Sequence, residues 1–534
     1  MRDPLSNSSK KILRTKAFLL QFAKKESKCQ IHEELMVNRD AASNAQKVIV
    51  IGSGPAGAIA AHELLQKGIP VTMLESGQSN PEGFLVRIKG RNIYRWKPTR
   101  MKEGDRHVAT GDIRTKWYYN LSPGGLSNDW TGAVPRFAPK DFHEGERLHE
   151  RYRWPLDYED LVPYYEKAEQ LLDITATPKQ VPHLPVGKHK WNHFLPKDWE
   201  GVAQYAEKRG QGLTILPLAH GPPWMVVRRG TAFNSYTNII QPLLKNPNFQ
   251  FISNAHALQL KWSGKKKKVD AVIYFDRKTS SRNRLEASAF VIACGALNST
   301  KLLFDSFCSD FPQGLGNSTG ILGRYLHDHP KEWWAMDLEE PISPLVPSGY
   351  LTRQPHDESS PLLASSWTIG SVSLKDKLST FIGGKSKVLG VQVFGTMVPV
   401  KKYYAKPHAH KKDEFGLPLL ELKIRFDDDV IQNMESAREN WQSLLDEAGY
   451  KGTIRDIVPQ LFPGSSVHYG GTVRMHKNPK YGVIDAWNRL HEVPNVLVCD
   501  KSCFTTGAEK NPTLTAMALS ARAMDKLVED LKTG

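Results

Sequence analysis

The sequence predicts an α/β fold built on a parallel β-sheet, and three observations support it. Residues 47–51 form a strand-like run of β-branched residues, as is typical of a buried parallel strand. Residues 52–57 then carry glycine at their first, third and sixth positions and lead into a helical pattern. Residues 71–74 form a second apolar run, which ends at Glu75.

The glycines of this strand–turn–helix unit indicate a Rossmann-like dinucleotide-binding site. Gly52, Gly54 and Gly57 permit a tight turn and let a pyrophosphate approach the backbone, where its charge lies at the helix N-terminus. The carboxylate of Glu75 can accept a hydrogen bond from a ribose hydroxyl. A glycine-rich turn alone is weak evidence, but the flanking strands and helix favour dinucleotide binding over a coincidental loop.

Three later segments are expected to return to this site, which favours FAD over NAD in so long a chain. Residues 290–296 form a strand that ends in a small-residue turn, and residues 495–500 form another that ends at Asp500. After Asn511, Pro512 and Thr513 begin an amphipathic C-terminal helix. The N-terminus of this helix would direct free N–H groups at a flavin ring.

His468 and Asn511 are the candidate catalytic residues. A neutral histidine can accept the proton of an alcohol at physiological pH, and loss of this proton makes the adjacent C–H bond a better hydride donor. An asparagine amide can donate to the same oxygen and orient the carbon. Each residue also has a structural interpretation: His468 as a buried, hydrogen-bonded histidine, and Asn511 as the N-cap of the last helix, a role compatible with catalysis.

Most of the chain, residues 47–531, resembles the glucose-methanol-choline (GMC) family of flavoprotein oxidoreductases, and within it the pyranose oxidase branch. The resemblance rests on residues 124–137, 466–475 and 511–517, which occur in the family's order. It implies a Rossmann-like FAD-binding domain with a discontinuous α+β substrate-binding domain, the GMC oxidoreductase fold. It further implies that His468 is the base, that Asn511 is its partner, and that the flavin contacts Asn128, Asp129, Trp130, Thr131 and Ala133.

One position departs from the pattern of the branch. Pyranose oxidases commonly tether FAD through a histidine in the segment that corresponds to residues 124–137, and this chain has Asp129 at that position. An aspartate cannot form a histidyl link, so noncovalent FAD is predicted. Thr131 lies where the branch keeps a threonine near the flavin, but this does not decide between oxygen, a quinone and another electron acceptor.

Four segments are predicted along the chain: a flexible N-terminal extension (residues 1–46), the first part of the FAD-binding domain with inserted segments (47–309), the substrate-binding domain (310–463), and the C-terminal part of the FAD domain with the catalytic pair (464–534). In the substrate-binding domain, residues 388–395 and 419–426 alternate like strands of a sheet over the flavin. The intervening residues 398–418 are predicted to form a loop, either a lid over the site or a solvated loop.

Composition and charge bound the class of protein. No apolar run reaches the length of a membrane-spanning helix, and five cysteines without a paired spacing indicate neither a disulfide framework nor a zinc site, so a cytoplasmic location is predicted. The net charge of +16 includes lysines 265–268, which lie between two strand-like runs. They are interpreted as a solvated hairpin turn in preference to a nucleic-acid-binding or localisation signal. Two His-x-His pairs lack further ligands, so no metal is predicted.

Together these observations predict an FAD-dependent oxidoreductase that oxidises an alcohol group of a sugar or sugar-like compound to a carbonyl, with His468 as the base. One alternative is a tailoring oxidase of a glycosylated natural product or C-glycoside, and another is a non-redox flavin-binding protein or lyase of the same family. The expected partners are a sugar or glycoside and an electron acceptor. The oligomeric state is not predicted.

Overall fold

The computed structural model describes residues 47–77, 107–112, 114–115, 117–223, 233–353, 362–371 and 383–533, so the predicted extension 1–46 lies outside it. The strands in these ranges are β1 (Val48–Ile51), β2 (Val71–Leu74), β3 (His107–Ala109), β4 (Thr175–Ala176), β5 (Trp191–Asn192), β6 (Leu213–Ile215), β7 (Phe249–Ile252), β8 (Ala255–Ser263), β9 (Lys268–Asp276), β10 (Ser281–Glu286), β11 (Ala289–Ile292), β12 (Lys331–Ile342), β13 (Gly349–Leu351), β14 (Ser365–Gly370), β15 (Ser386–Gly395), β16 (Tyr404–Lys412), β17 (Pro418–Lys423), β18 (Gly452–Gln460), β19 (Arg489–Leu490) and β20 (Val493–Val498). The α-helices in the same ranges are α1 (Pro55–Gln66), α2 (Pro139–His143), α3 (Val162–Leu172), α4 (Glu200–Lys208), α5 (Gln241–Leu243), α6 (Ala296–Asp305), α7 (Asp428–Glu447) and α8 (Thr513–Thr533).

A mostly parallel sheet carries the glycine-rich turn. Its strand order in the described residues is β19-β20-β11-β1-β2-β7. Strand β1 pairs in parallel with β11 on one side and β2 on the other, and all four of its residues are buried. Central strands of this kind are apolar throughout because helices cover both faces of the sheet. The predicted strand, glycine turn, helix and second strand are confirmed by β1, α1 and β2.

The end of the chain completes this sheet. Strand β20 pairs in parallel with β11, which confirms that residues 495–500 return to the first part of the fold. Helix α8 then buries an apolar stripe that includes Leu514, Met517 and Leu527, because these residues recur on one face of the helix. The carboxyl ends of β1, β2, β11 and β20 therefore lie along one edge, where ligands bind in open α/β sheets.

A second, antiparallel sheet has two chemically different faces. Its order in the described residues is β18-β12-β15-β14-β13-β6. Residues that pair directly across antiparallel strands point to the same face. On one face, Trp334, Trp367 and Val391 pack in an apolar core with Trp441 of α7. The alternate positions, which include Lys331, Gln392 and Phe394, form the other face and line a cavity.

Two strand predictions for this region had different outcomes. Residues 388–395 form β15 of the large sheet, as predicted. Residues 418–423 form β17, but this strand pairs with β16 and β3 in a separate small sheet, so the prediction of one shared sheet was wrong. The predicted loop 398–418 was also wrong in part, because its centre is strand β16. Polar side chains on β16 hid the strand, since exposed strands lack an apolar period.

Other expectations concern turns and segment boundaries. Strands β8 and β9 pair antiparallel, which confirms that lysines 265–268 lie at a hairpin turn. Strand β6 comes from the first part of the chain but forms an edge of the second sheet. The exact division into four segments stays a prediction. Within the described ranges, no helix combines the length and the apolar character needed to cross a membrane.

Candidate active site

A cavity of about 710 Å³ lies at the carboxyl ends of β1, β2, β11 and β20. Most of the predicted site residues line its wall: Gly52, Gly54, Glu75, Asp129, Trp130, Thr131, Ala133, His468, Asp500, Asn511, Pro512 and Thr513. The other two, Gly57 and Asn128, are not in the wall. Residues from four separated parts of the chain thus meet around one space.

Two glycines of the first turn are required by close backbone approach. Gly52 has a φ of 104°, and a Cβ atom there would lie 2.4 Å from the carbonyl oxygen of Ala293. A Cβ atom on Gly57 would lie 2.1 Å from the carbonyl oxygen of Gly52. Gly57 therefore lets α1 pack against the turn and does not itself face the cavity. Gly54, in contrast, has open space where its Cβ would be.

Glu75 joins the first turn to the segment that begins at Gly124. Its carboxylate accepts a hydrogen bond from the hydroxyl of Ser53 and another from the backbone N–H of Gly77, at 2.8 Å. The Ser53 hydroxyl oxygen in turn accepts from the N–H of Gly124, at 3.0 Å. Burial raises the pKa of Glu75, and the hydrogen bonds that it accepts oppose this rise. The carboxylate is held at the end of β2, where the sequence predicts contact with a ribose.

Hydrogen bonds of the Asn128 side chain support the segment after Gly124. The amide of Asn128 donates to the carbonyl of Gly125 at 2.8 Å and accepts from Asn234 at 2.6 Å. Asn128 thus supports the turn, whereas the sequence predicted a flavin contact. The next residue, Asp129, lines the cavity and accepts a hydrogen bond from Asn120 at 2.6 Å.

Asp500 closes the wall at the end of β20. One carboxylate oxygen accepts from the N–H of Gly295 at 3.1 Å and from the hydroxyl of Ser299. The other accepts from the N–H of Ser502 at 2.9 Å. Asp500 therefore ties the turn before α6 to the end of β20, and both ends face the cavity.

These residues fit FAD. Among the described residues, no side chain caps the N-terminus of α1, and Gly54 leaves room for a group beside its backbone. A helix N-terminus with free N–H groups binds phosphate, so Gly52 and Gly54 would hold the pyrophosphate and Glu75 a ribose. The cavity wall then continues through Asp129 and Thr131 to His468, which leaves the far end for the flavin ring and a substrate.

His468 lies between His329 and Asn511. The Nδ1 atoms of His468 and His329 are 3.1 Å apart, so one of them carries a proton. Nδ2 of Asn511 lies 3.2 Å from Nε2 of His468. With the Asn511 amide in this orientation its nitrogen donates, so Nε2 accepts, and the matching assignment puts the His468 proton on Nδ1, which donates to His329. The arrangement leaves Nε2, beside Asn511, as the basic atom.

The backbone around His468 is held by a buried carboxylate. Asp328 accepts from the N–H of His468 at 3.1 Å, from the N–H of Gly464 at 2.7 Å and from the hydroxyl of Ser466. Val467, directly before His468, has a φ of 62°, which is an outlier for a β-branched residue. Such conformations persist only where surrounding contacts impose them. The hydrogen bonds of Asp328 supply those contacts and fix the direction of the histidine ring.

The surroundings keep His468 neutral. Burial lowers the pKa of His468 well below its ordinary value, and the charges of Lys501 and Lys331 lower it further. The pKa of His329 is lowered in the same way, first by burial and then by Lys501. A neutral imidazole is the form that can take a proton from an alcohol.

Asn511 directly follows a lysine that belongs to a buried network of charged residues. The ammonium of Lys510, the preceding residue, lies 2.8 Å from Asp141 and 2.6 Å from Glu509. Arg353 forms an ion pair with Glu144 and lies 3.4 Å from Asp141. All five side chains are buried: Asp141, Glu144, Arg353, Glu509 and Lys510. We call this set the Lys510 network.

Sequence reasoning missed three residues of the reacting end. His329, Lys331 and Lys501 all lie close to His468 in space. The spacing of His327 and His329 drew notice only as a possible metal motif. No local pattern reveals that His329 contacts His468, because the two residues are far apart in the chain and meet only in the fold. Helix α8 begins at Thr513, so Pro512 and not Asn511 is the residue next to it. The Asn511 amide is directed at His468.

Comparison with known proteins identifies the family of this chain. The family described as GMC oxidoreductase matches residues 136–331 and 408–520, and an FAD binding domain matches residues 45–84. The chain is 28% identical over 520 residues to 6'''-hydroxyparomomycin C oxidase of Streptomyces lividus, with 91% of each chain covered. It is 22% identical to pyranose 2-oxidase of Tricholoma matsutake, with 76% of this chain and 72% of the relative covered.

A solved structure shares the fold. An FAD-dependent oxidoreductase from Chaetomium thermophilum superimposes with a TM-score of 0.64 at 14% identity, and the match covers 91% of this chain and 100% of the other. The α/β fold, the FAD cofactor and the resemblance stated from the sequence are thereby confirmed. This chain belongs to the GMC oxidoreductase family and is an FAD-dependent enzyme that oxidises CH–OH groups.

Proposed function

We propose that this enzyme oxidises an alcohol group of a sugar or sugar-like substrate to a carbonyl, with His468 as the base. The observation that carries the proposal is the placement of His468 between His329 and Asn511, at 3.1 and 3.2 Å. This geometry leaves Nε2 of His468 unprotonated beside an amide donor. A base and a donor at one point are what an alcohol oxygen needs to lose its proton.

In the proposed mechanism, the alcohol oxygen lies within reach of both Nε2 of His468 and the Asn511 amide. His468 takes the hydroxyl proton, and its Nδ1–H stays bound to His329, which prevents rotation of the ring. When the alcohol binds, the Asn511 amide donates to its oxygen in place of Nε2, which frees the Nε2 lone pair for the proton and orients the carbon that bears the hydrogen. FAD supplies the acceptor for the hydride. Once protonated, His468 is a cation beside Lys501 and Lys331, so it releases the proton readily.

The inner face of the second sheet supports a sugar-like substrate. Gln392 and Phe394 line the cavity from β15, so an amide and an aromatic ring stand opposite the catalytic pair. Sugars are bound by such combinations of hydrogen-bonding and apolar groups. The relative from Streptomyces lividus is an oxidase of 6'''-hydroxyparomomycin C by its name, which favours a glycosylated natural product as the second candidate substrate.

The test of this function is a panel of alcohols mixed with the purified, FAD-loaded protein without oxygen. Free sugars, glycosides and simple alcohols are compared by the loss of the flavin's visible absorbance. We expect at least one sugar or glycoside to bleach the flavin, and bleaching by glycosides alone would favour the second candidate. If no alcohol bleaches it, the oxidation proposal is wrong for this chain. Admission of oxygen or a quinone afterwards identifies the acceptor.

We also propose that FAD is bound without a covalent link. Asp129 occupies the position where pyranose oxidases carry the linking histidine, and it accepts a hydrogen bond from Asn120. Acid precipitation is expected to release all of the flavin into the supernatant. Yellow colour that remains in the washed pellet would show a covalent bond elsewhere and refute the proposal.

A further inference from the structure

Two of the three lysines in the cavity wall have no ionic partner among the described residues. Five carboxylates line the cavity, and each has a hydrogen-bond donor or cation beside it among the described residues: Glu75, Asp129, Asp305, Asp413 and Asp500. Lys301 also lines it and is paired with Asp305 at 2.7 Å and Asp413 at 3.1 Å. Lys331 and Lys501 line the same wall, and neither has a hydrogen bond or an ion pair to any residue that the structure describes.

Lys331 is at the reacting end of the cavity. It is the first residue of β12 and pairs directly with Phe394 of β15. Its ammonium lies 5.9 Å from the centre of the Phe394 ring, and that ring lies 5.1 Å from the ring of His468. The charge of Lys331 also lowers the pKa of His468. The ammonium is therefore close to the point where the alcohol reacts.

The nearby carboxylate, Asp328, is not available to pair with Lys331. Asp328 is fully buried, and its two oxygens accept hydrogen bonds from Gly464, Ser466 and the backbone of His468. Apart from the ring of Phe394, 5.9 Å away, the half-buried ammonium has no hydrogen-bond or ionic partner among the described residues, and a partly desolvated charge without such a partner is costly. An anion that enters the cavity with the substrate would supply that partner.

We propose that the substrate carries an anionic group, a carboxylate or a phosphate on a sugar, which binds the ammonium of Lys331 while an alcohol of the same molecule meets His468. This inference rests on the proposed function, because it uses the same site. It ranks sugars by charge: a sugar acid or sugar phosphate binds more tightly than a neutral sugar, and an amino sugar binds only in an orientation that keeps its ammonium away from Lys331.

Lys501 does not take this role. Its Nζ atom is fully buried, and its charge acts on His327, His329 and Asp328 as well as on His468. It lies behind the histidines, where it disfavours their protonation. Lys331, on the sheet opposite, keeps part of its side chain exposed. The two unpaired cations therefore have separate functions.

The test compares matched sugars that differ in charge: glucuronate, glucose 6-phosphate, glucose and glucosamine. Binding to the oxidised, FAD-loaded protein is measured by the perturbation of the flavin spectrum, and oxidation by anaerobic bleaching. We expect an anionic sugar to bind at least ten times more tightly than glucose. Lys331→Met is expected to weaken the binding of that sugar by roughly 10- to 100-fold and to change the binding of glucose by less than about threefold, since a charge-assisted hydrogen bond is lost only for the anion.

Comparison of glucuronate with glucose 6-phosphate shows whether the site prefers a carboxylate or a phosphate. Lys423→Met is the matched control, because Lys423 is exposed at the end of β17 and its loss changes the net charge equally. Equal losses for glucose and the anionic sugar in Lys331→Met would refute the inference, as would a wild-type panel in which no anionic sugar binds more tightly than its neutral counterpart. Bleaching by glucose alone would contradict only the anionic group, whereas failure of all alcohols to bleach would contradict the proposed oxidation.

Discussion

Replacement of His468 by alanine is expected to slow anaerobic flavin reduction by about 10²- to 10⁴-fold while FAD stays bound. The imidazole is the group placed to take the hydroxyl proton, because its Nε2 atom lies 3.2 Å from the Asn511 amide and its Nδ1 atom is occupied by His329. Alanine removes the base but none of the residues around Gly52 and Glu75. The measurement is the rate constant of bleaching at saturating substrate, with the bound flavin quantified from its spectrum.

The pH profile of the wild type gives an independent readout. Burial, Lys501 and Lys331 lower the pKa of His468, so its neutral form persists into acid and the rate constant should fall only below the ordinary pKa of histidine. Lys501→Met removes one of these causes, so the pKa should rise and the acid limb should move to higher pH.

Two companion variants sharpen this result. His410→Ala is the control, because His410 is exposed on β16, and it should leave the rate constant unchanged. His329→Phe keeps a ring in place but removes the acceptor of the Nδ1 proton, so a smaller loss than that of His468→Ala is expected. Normal turnover in His468→Ala would exclude this residue as the base.

The second large effect is expected in stability. Lys510→Met should lower the free energy of unfolding by about 3–5 kcal/mol, because loss of one member of a buried ionic network leaves its partners uncompensated. Lys510 is fully buried and lies 2.8 Å from Asp141 and 2.6 Å from Glu509. The change is measured as a lower midpoint of urea denaturation. Because Lys510 precedes Asn511, flavin reduction should also be slower in the folded variant.

The charges of the Lys510 network suggest a second substitution that should restore stability. Three buried carboxylates face two buried cations, and the partly exposed Lys140 lies 3.2 Å from Glu144 at the edge of the network. Lys510→Met therefore leaves Arg353 and Lys140 with three acids. Adding Glu509→Gln to Lys510→Met should restore part of the lost stability, since it removes one unpaired charge. Lys265→Met, at an exposed turn, should stay within about 0.5 kcal/mol of the wild type. An unchanged midpoint in Lys510→Met would contradict the stabilising role of the network.

The sequence patterns that predicted the fold correctly were those in which steric limits allow only one residue type. The turn at Gly52 and Gly57 has no room for a Cβ atom. Its glycines therefore identify the strand before it, the helix after it and the dinucleotide-binding site. Sheet membership was harder to predict. Residues 418–423 alternate as clearly as β15 does, yet they form a separate sheet with β16 and β3, because alternation reports a half-buried strand without identifying its neighbours.

Site residues could be predicted only where they belong to a motif whose side chains have a known chemical use. His468 and Asn511 were found because a base and an amide donor have a recognisable use together. Asn128 was predicted to contact the flavin; its amide supports the turn behind the cavity wall, and the flavin contact stays a prediction. Lys331 and Lys501 carry no motif, and their lack of ionic partners among the described residues becomes visible only in three dimensions. The catalytic roles and the cytoplasmic location stay predictions.

The order of the central sheet has a consequence for biosynthesis. Strand β11 pairs with β20, which the ribosome makes long after β1 and its glycine turn. His468, Asp500 and Asn511 also come from this late part of the chain. A nascent chain can form the glycine turn early, but the wall around Asp500 and Asn511 is incomplete until β20 and helix α8 have been made. We therefore expect stable FAD binding only after these elements have folded, and chains truncated before β20 should purify without flavin.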